Sequence, residues 1–490
     1  MYLTRFTILL MCFVVVIASD ENAHSMLNNN VTTYVDVSSQ LVKIKNIITV
    51  ENMLSDPIPS YLYIVDPQWK LNLSFIEAFD EATNSLKINR IHTDETWLKF
   101  EIVFNEPLSP GKKEVLHVMS VVINYLQSYP KSVQQNERHL VLFHFNVFFY
   151  SLFSTEIQTT YIYLGTSNIM SLDGAKYKSA DDSHVFQYGP YSDVTPNSEH
   201  ISIIHYENTS PFLTVEKLDR SVRISHWGFL SIQEKIWLIH TGPKFSGPFE
   251  REFELNSKGS TKDTSIESFV TSLPVDAFDI SLNDEIGVVS SFTIDDNHYD
   301  KIEVHIRPRF ILYGGWKIYY EIGYSLPIVN YVTYDQSTST FVLSVPLIDK
   351  VFPDMVISEA EVTFILPEGG SFQDMYPYYE LENNTDNRYC YFFDIICRKV
   401  ISFKRYNLME QHAQKVSLTY VYPQLLMLTK PVAIVLFLFL VFVLFSICSS
   451  TCCNSNEEKA EQPNAVVNQA SEILDKKQKK HQSKSKLKRK

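Results

Sequence analysis

Glycine is scarce in this chain, at 14 of 490 residues, less than half the usual share of about 7%. That excludes a collagen-like repeat and long Gly-rich linkers. Six cysteines are too few for a disulfide-built scaffold. Catalytic signatures are absent as well. No His-Glu-x-x-His occurs, no Gly-x-Ser-x-Gly nucleophile turn, and no Gly-rich phosphate loop; Gly174-Ala-Lys176 is only a fragment of one. The close histidine pairs, His139/His144 and His200/His205, are five residues apart, a spacing that puts strand side chains on opposite faces. Asp181-Asp182 and Asp295-Asp296 stand in polar stretches without a third ligand and read as solvated turn acids. No metal, cofactor or catalytic residue is expected. A formal charge of −13 argues against a free-standing nucleic-acid binder.

What is present is apolar material, 45% of the chain, enough for two to four packed domains at about 100–200 residues each. Its longest runs are terminal. Residues 1–19 combine Arg5, an apolar run from Phe6 to Ile17 and the small pair Ala18-Ser19, the pattern of a secretory signal peptide. Residues 431–448 are apolar on every face, and no charge occurs between Lys430 and Glu457; this predicts one transmembrane helix. The tail, residues 454–490, holds ten bases and five acids. Basic flanks stay cytoplasmic, so the bulk of the chain is expected in the lumen as a single-pass type I protein. With +5 assigned to the tail and +1 to Arg5, residues 20–430 carry −19. Lys486 and Lys488, five and three places from the end, match a dilysine signal for retrieval to the endoplasmic reticulum; the competing reading is a charge cluster that touches anionic lipid.

Only Cys390 and Cys397 fall on the expected lumenal side, where an oxidising compartment favours a bridge closing a small loop. Cys448, Cys452 and Cys453 sit at the inner end of the span, as acylation sites or buried thiols. Four Asn-x-Ser/Thr sites, Asn30, Asn72, Asn208 and Asn383, are glycosylation candidates and predict exposed segments; Pro211 follows the third.

Between the apolar ends, two-residue alternation dominates, as in Leu98–Ile102, Thr160–Leu164 and Ile302–Ile306, broken by turns at Gly111, Gly314-Gly315 and Gly369-Gly370. The fold class is therefore mainly β, with two tandem sandwich-like lumenal domains, residues 20–220 and 221–424, before the helix and tail. The halves echo each other. Val37-Ser38-Ser39 leads into an alternating run as Ile224-Ser225-His226 does, and Leu98–Tyr125 resembles Ile302–Tyr324 in pattern. The boundary is expected near Glu216–Arg223. The aromatic segment Phe143–Phe153 reads as a core strand pair.

Several segments together resemble the ribophorin I family: Tyr188–Val194, His205–Thr214, Ile224-Ser-His-Trp-Gly228, His240-Thr-Gly242, Gly247-Pro-Phe249, Asp284-Glu-Ile-Gly287, Ile306-Arg-Pro-Arg-Phe-Ile-Leu-Tyr-Gly-Gly-Trp-Lys317, Ile365–Gly369 and Asn407–His412. The resemblance implies a non-catalytic subunit of the endoplasmic reticulum oligosaccharyltransferase, the complex that moves a glycan from dolichyl diphosphate to Asn-x-Ser/Thr of nascent chains. It implies as partners a multispanning catalytic subunit, the other subunits, nascent polypeptides and membrane lipid, with roles in scaffolding and substrate presentation. Animal relatives carry a long cytosolic domain linked to ribosome contact; this 37-residue tail departs from that pattern. The alternatives are a type I β-sandwich binding or receptor protein unrelated to glycosylation, or a lumenal hydrolase with a divergent site.

Overall fold

The computed structural model describes residues 25–91, 97–135, 137–179, 184–250, 265–377, 388–391, 394 and 396–460. The signal segment, Asp181-Asp182, Asn383, and the tail from 461 with Lys486 and Lys488 lie outside the described residues. The chain divides into a β unit, ending at Tyr422, and a smaller unit made of residues 391–395 and the chain from Pro423 onward.

The β unit is mainly strand because its apolar residues fall on alternate positions. Along Val42–Asn52, Val42, Ile44, Ile48 and Val50 face inward while Lys43 and Lys45 face out. Up to Glu207 the main sheet has ten strands, and six of them, β1 (Met26–Asp36), β2 (Val42–Asn52), β3 (Leu73–Phe79), β4 (Lys113–Val122), β5 (Thr155–Tyr163) and β6 (Val185–Val194), lie side by side in the order 6-5-1-2-4-3. From Leu213 onward the corresponding strands are β7 (Leu213–Ile224), β8 (Phe229–His240), β9 (Phe278–Asp284), β10 (Lys317–Pro327), β11 (Val356–Ile365) and β12 (Arg398–Met409), in the order 12-11-7-8-10-9. Adding six to each number converts one order into the other. The pairing senses repeat too: β1 is parallel to β5 and β7 to β11, while the neighbours named here otherwise run antiparallel.

Each main sheet is accompanied by a smaller one. In the first region, Val141, Phe143 and Phe145 of the strand Leu140–Asn146 pack on Val35, Ile44, Ile162 and Tyr188. This buries the aromatic segment as core. At the other end the sheet curls, and Tyr61, Phe100, Ile102 and Phe104 close over Val31, Ile48 and Leu116. The two regions divide between Glu207 and Leu213. Glu216–Arg223, expected as a boundary, lies inside β7, where alternate residues are buried. The regions are joined by a separate apolar cluster of Leu41, Val121, Ile123, Val356 and Met409. Gln40 Nε2 donates to Leu213 O and Asp354 O at 2.8 and 2.6 Å, and Lys43 pairs with Asp354 at 2.7 Å.

In the smaller unit one helix, Thr429–Ala460, contains a stretch long and apolar enough to cross a membrane. Side chains from Val432 to Ser449 are exposed all round, as a lipid-facing helix requires. Lys430 at its start pairs with Asp394 at 2.8 Å.

Candidate binding groove

The segments that resemble ribophorin I are far apart in sequence, yet four of them meet beside β8 and β10. The reason is local. His240 N donates to Trp316 O at 3.0 Å, Gly315 N to His240 O at 2.8 Å, and Phe245 N to Gly314 O at 2.9 Å. A Cβ on Gly314 would stand 1.8 Å from Pro243 O, so only glycine permits this approach. Gly315 has φ +82°, in the left-handed region where glycine is favoured. Around this lock Phe245 and Phe249 pack on Tyr313 at 5.0 and 5.8 Å between ring centroids, and Phe310 on Trp316 at 5.9 Å.

Next to the lock is a groove of about 310 Å³, whose walls include Trp237, Leu282, Ile286, Pro308, Phe310 and Tyr319. That is the lower end of the range for ligand clefts, roughly 300–1,000 Å³. Its floor includes Trp237 and Tyr319, which stand opposite each other on neighbouring strands; Lys217 stands opposite Trp237 on the other side. Trp237 and Tyr319 lie 4.9 Å apart, and Lys217 Nζ sits 5.4 Å from the Trp237 ring, a cation–π contact. One lip is the turn Asp284–Gly287, held by Asp284 Oδ1, which accepts from Ile286 N at 2.9 Å and Gly287 N at 3.0 Å. Arg309 bonds both oxygens of Asp284 and holds that carboxyl down at about 2. The turn leaves Ile286 80% exposed. Across the groove a β-bulge at Glu216 re-aims its side chain, which takes Lys317 Nζ at 2.6 and 2.7 Å. Asp284 and Glu216 are thus each tied to a cation, and apolar and aromatic side chains alternate with charged ones, including Glu285 and Arg307, around the groove. Such a site offers contact to an apolar or aromatic side chain; Trp, Tyr and Arg are the residue types that dominate contact energetics.

The residues singled out from the sequence do not converge on the groove. Asn30 is exposed on the outward face of β1. Asn72 is half-buried, its Nδ2 donating to Ile123 O at 2.9 Å and Asn124 O at 3.2 Å. Asn208 departs from the exposed setting expected of its motif. It is 1% exposed, its Nδ2 bonds Ser39 O at 3.1 Å, and its Oδ1 accepts from Ser210 N and Oγ at 2.9 and 2.7 Å. The Asn-x-Ser spacing of a glycosylation site is also that of an Asx turn, and here the turn staples the link between the two regions. Cys390 and Cys397 are bridged, and Cys448 is free and exposed. His139 is buried against Phe212, with Nε2 3.3 Å from Ser128 Oγ, while His205 Nε2 reaches Tyr129 O at 3.0 Å. Asp295 Oδ1 accepts from Asn297 N at 3.0 Å. Among the described residues no three His, Cys, Asp or Glu are grouped to hold a metal.

Sequence reasoning missed the groove itself. Its signal was the pair of aromatics, Trp237 and Tyr319, at outward positions of strands whose inward positions are mostly apolar. It also missed a fully buried ionic cluster of Arg220, Glu234 and Asp349, whose signal was charge at inward positions of β7 and β8.

The chain is similar to proteins from animals and plants over most of its length. It is 28% identical over 450 residues to dolichyl-diphosphooligosaccharide–protein glycosyltransferase subunit 1 of Caenorhabditis elegans, spanning 89% of this chain and 75% of that one. It is 27% identical over 441 residues to subunit 1B of Arabidopsis thaliana, spanning 87% and 93%. Among solved structures, an M1 zinc metallopeptidase from Deinococcus radiodurans aligns at 11% identity with a TM-score of 0.23, over 40% of this chain and 44% of that one. The family model described as Ribophorin I matches residues 26–449, nearly all of the β unit and the apolar helix. The chain belongs to the ribophorin I family.

Proposed function

We propose that this chain is a non-catalytic subunit of the oligosaccharyltransferase complex of the endoplasmic reticulum membrane, where it supports N-glycosylation of nascent polypeptides. The family match along residues 26–449 carries this reading; the relatives' names, which describe glycosyltransferase subunits, give it the reaction. On this reading the β unit is lumenal, the helix anchors it in the membrane beside a multispanning catalytic partner, and the groove floored by Trp237 is a polypeptide contact. The repeated strand order supports two domains derived from one. Asn30, by its exposure, is the best placed acceptor of the chain's own glycan among the described sequons, and Lys486 and Lys488 serve retrieval.

Depletion followed by complementation tests the proposal. Loss of the chain should leave an Asn-x-Thr reporter underglycosylated, and wild type should restore it. Trp237→Ala with Phe310→Ala should restore complex assembly yet leave a subset of substrates short of glycans. Full reporter glycosylation in depleted cells would refute the proposal.

A further inference from the structure

Exposed apolar side chains gather at one end of the second region's sheet. Trp227 and Phe229 stand at the β7–β8 turn, 57% and 41% exposed. Phe229 pairs with Pro327, and Ile328 N donates to Gly228 O at 3.0 Å, so Val329, 82% exposed, belongs to the same corner. Phe278 pairs with Ser325 on the next strand and is also exposed. These residues occupy the end of β7, the start of β8, the segment after β10 and the start of β9, which register places side by side. Four large apolar groups together form a patch, not the scattered single residues normal on a surface.

The path of the chain says what covers it. His226, next to Trp227, stacks on Tyr422 with ring centroids 4.5 Å apart, and its Nε2 lies 3.1 Å from Tyr420 Oη. Tyr422 ends the β unit, and the apolar stretch of the membrane helix begins at Gln424. Two residues of extended chain reach only about 7 Å. Counted instead to Thr429, where the α-helix starts, the tether is at most about 25 Å. Whatever the angle of the helix, this end of the sheet cannot lie far from a bilayer surface. Charge narrows the choice of lipid. Residues 225–229, 275–278 and 327–331 contain no Lys or Arg, and their one acid, Asp276, accepts from Asn330 Nδ2 at 3.0 Å. Attraction to anionic headgroups therefore has no purchase here, whereas tryptophan favours the boundary between headgroups and acyl chains.

We propose that Trp227, Phe229, Val329 and Phe278 form an interfacial anchor, which seats this end of the sheet in zwitterionic phospholipid of the leaflet from which the membrane helix emerges. The anchor adds a second attachment to the single helix and so limits tilting of the β unit. It rests on the helix and the patch alone, and stands or falls apart from the partners proposed above.

The test uses the full chain in phosphatidylcholine nanodiscs, with and without bromine on the acyl chains. The chain has five tryptophans, so Trp227→Phe isolates the emission of one while keeping an aromatic ring at an exposed site. Brominated lipid should quench part of the wild-type emission, and most of that quenched share should vanish in W227F. Aqueous iodide should leave the share due to Trp227 largely untouched. Equal bromine quenching in wild type and W227F would overturn the proposal. So would ready quenching of Trp227 by iodide, the outcome expected if the patch instead awaits a protein partner or simply faces water.

Discussion

Removing the charge of Arg220 should unfold the second region more readily than any surface substitution. Arg220 occupies an inward position of β7 between Leu218 and Val222 and is fully buried, as are Glu234 and, almost completely, Asp349. Its Nη1 bonds Glu234 Oε1 and, at 2.7 Å, Asp349 Oδ2; Nη2 reaches Tyr324 Oη at 3.3 Å. Burial works against the guanidinium charge, but Asp349, Tyr324 and Glu234 hold it protonated. Burial also pushes the Glu234 carboxyl up, Asp349 adding to the push and Arg220 opposing it. Arg220→Met keeps apolar bulk and strips both carboxyls of their cation. Breaking a buried ionic pair costs about 3–5 kcal/mol, a large part of the 5–15 kcal/mol that holds an ordinary domain. Adding Glu234→Gln and Asp349→Asn removes the stranded charges and should recover about half of the loss. The pH dependence has a definite sign. A carboxyl whose folded pKa is raised binds more protons folded than unfolded, so its state favours folding less as pH rises above 4.5. Arg220→Met should therefore be penalised less at pH 5 than at pH 7.5. Pulse proteolysis in urea, on the full chain in detergent, measures each value. A loss below about 1 kcal/mol for the single variant, or a triple variant no more stable than it, would refute the reasoning.

Asn208→Ala should cost about 1–3 kcal/mol, because it removes a buried side chain that bonds the part-buried Ser39 carbonyl and accepts from Ser210 N and Oγ; urea unfolding reads the loss. Asn208→Gln should leave electrophoretic mobility unchanged, and a glycan-sized shift would contradict the buried placement. Gly314→Ala should destabilise by at least about 1–3 kcal/mol, since backbone at Pro243 blocks its Cβ; an unaltered melting temperature would show that the lock yields. His139 is held down at about 3 by burial, with His240 contributing. The unfolded chain, at an ordinary 6.5, takes up the proton first, so stability present above pH 6.5 is lost as pH falls below it. Near 1.4 kcal/mol per unit, this one group removes about 2 kcal/mol by pH 5. Thermal unfolding at pH 7 and pH 5 checks the sign, and His139→Gln should flatten the slope.

Alternation made the strands legible, and an uninterrupted apolar run made the helix so, because both signals are local. The likeness of Val37–Asn52 to Ile224–His240 reflects hairpins β1–β2 and β7–β8, which hold equivalent places in their sheets. Parallel pairing of β1 with β5 and β7 with β11 left no local trace, since its partners lie more than 120 residues apart. Glu216–Arg223 read as a boundary because the second half's echo begins at Ile224; it lies instead in a strand paired on both sides, where Lys217 and Asp219 form an outward ion pair while Arg220 turns inward. At Asn208 two meanings share one spacing, and only burial separates them. The groove depends on Gly314 meeting Pro243 across some 70 residues, a contact that composition and period do not encode.

Purification of the tagged full chain from gently solubilised membranes tests the proposed function most directly. The chain should come away in a complex several times its own 56.7 kDa, together with a multispanning transferase subunit and with glycan transfer to an Asn-x-Thr peptide. A chain that migrates alone, with transfer activity left behind in the unbound fraction, would contradict it.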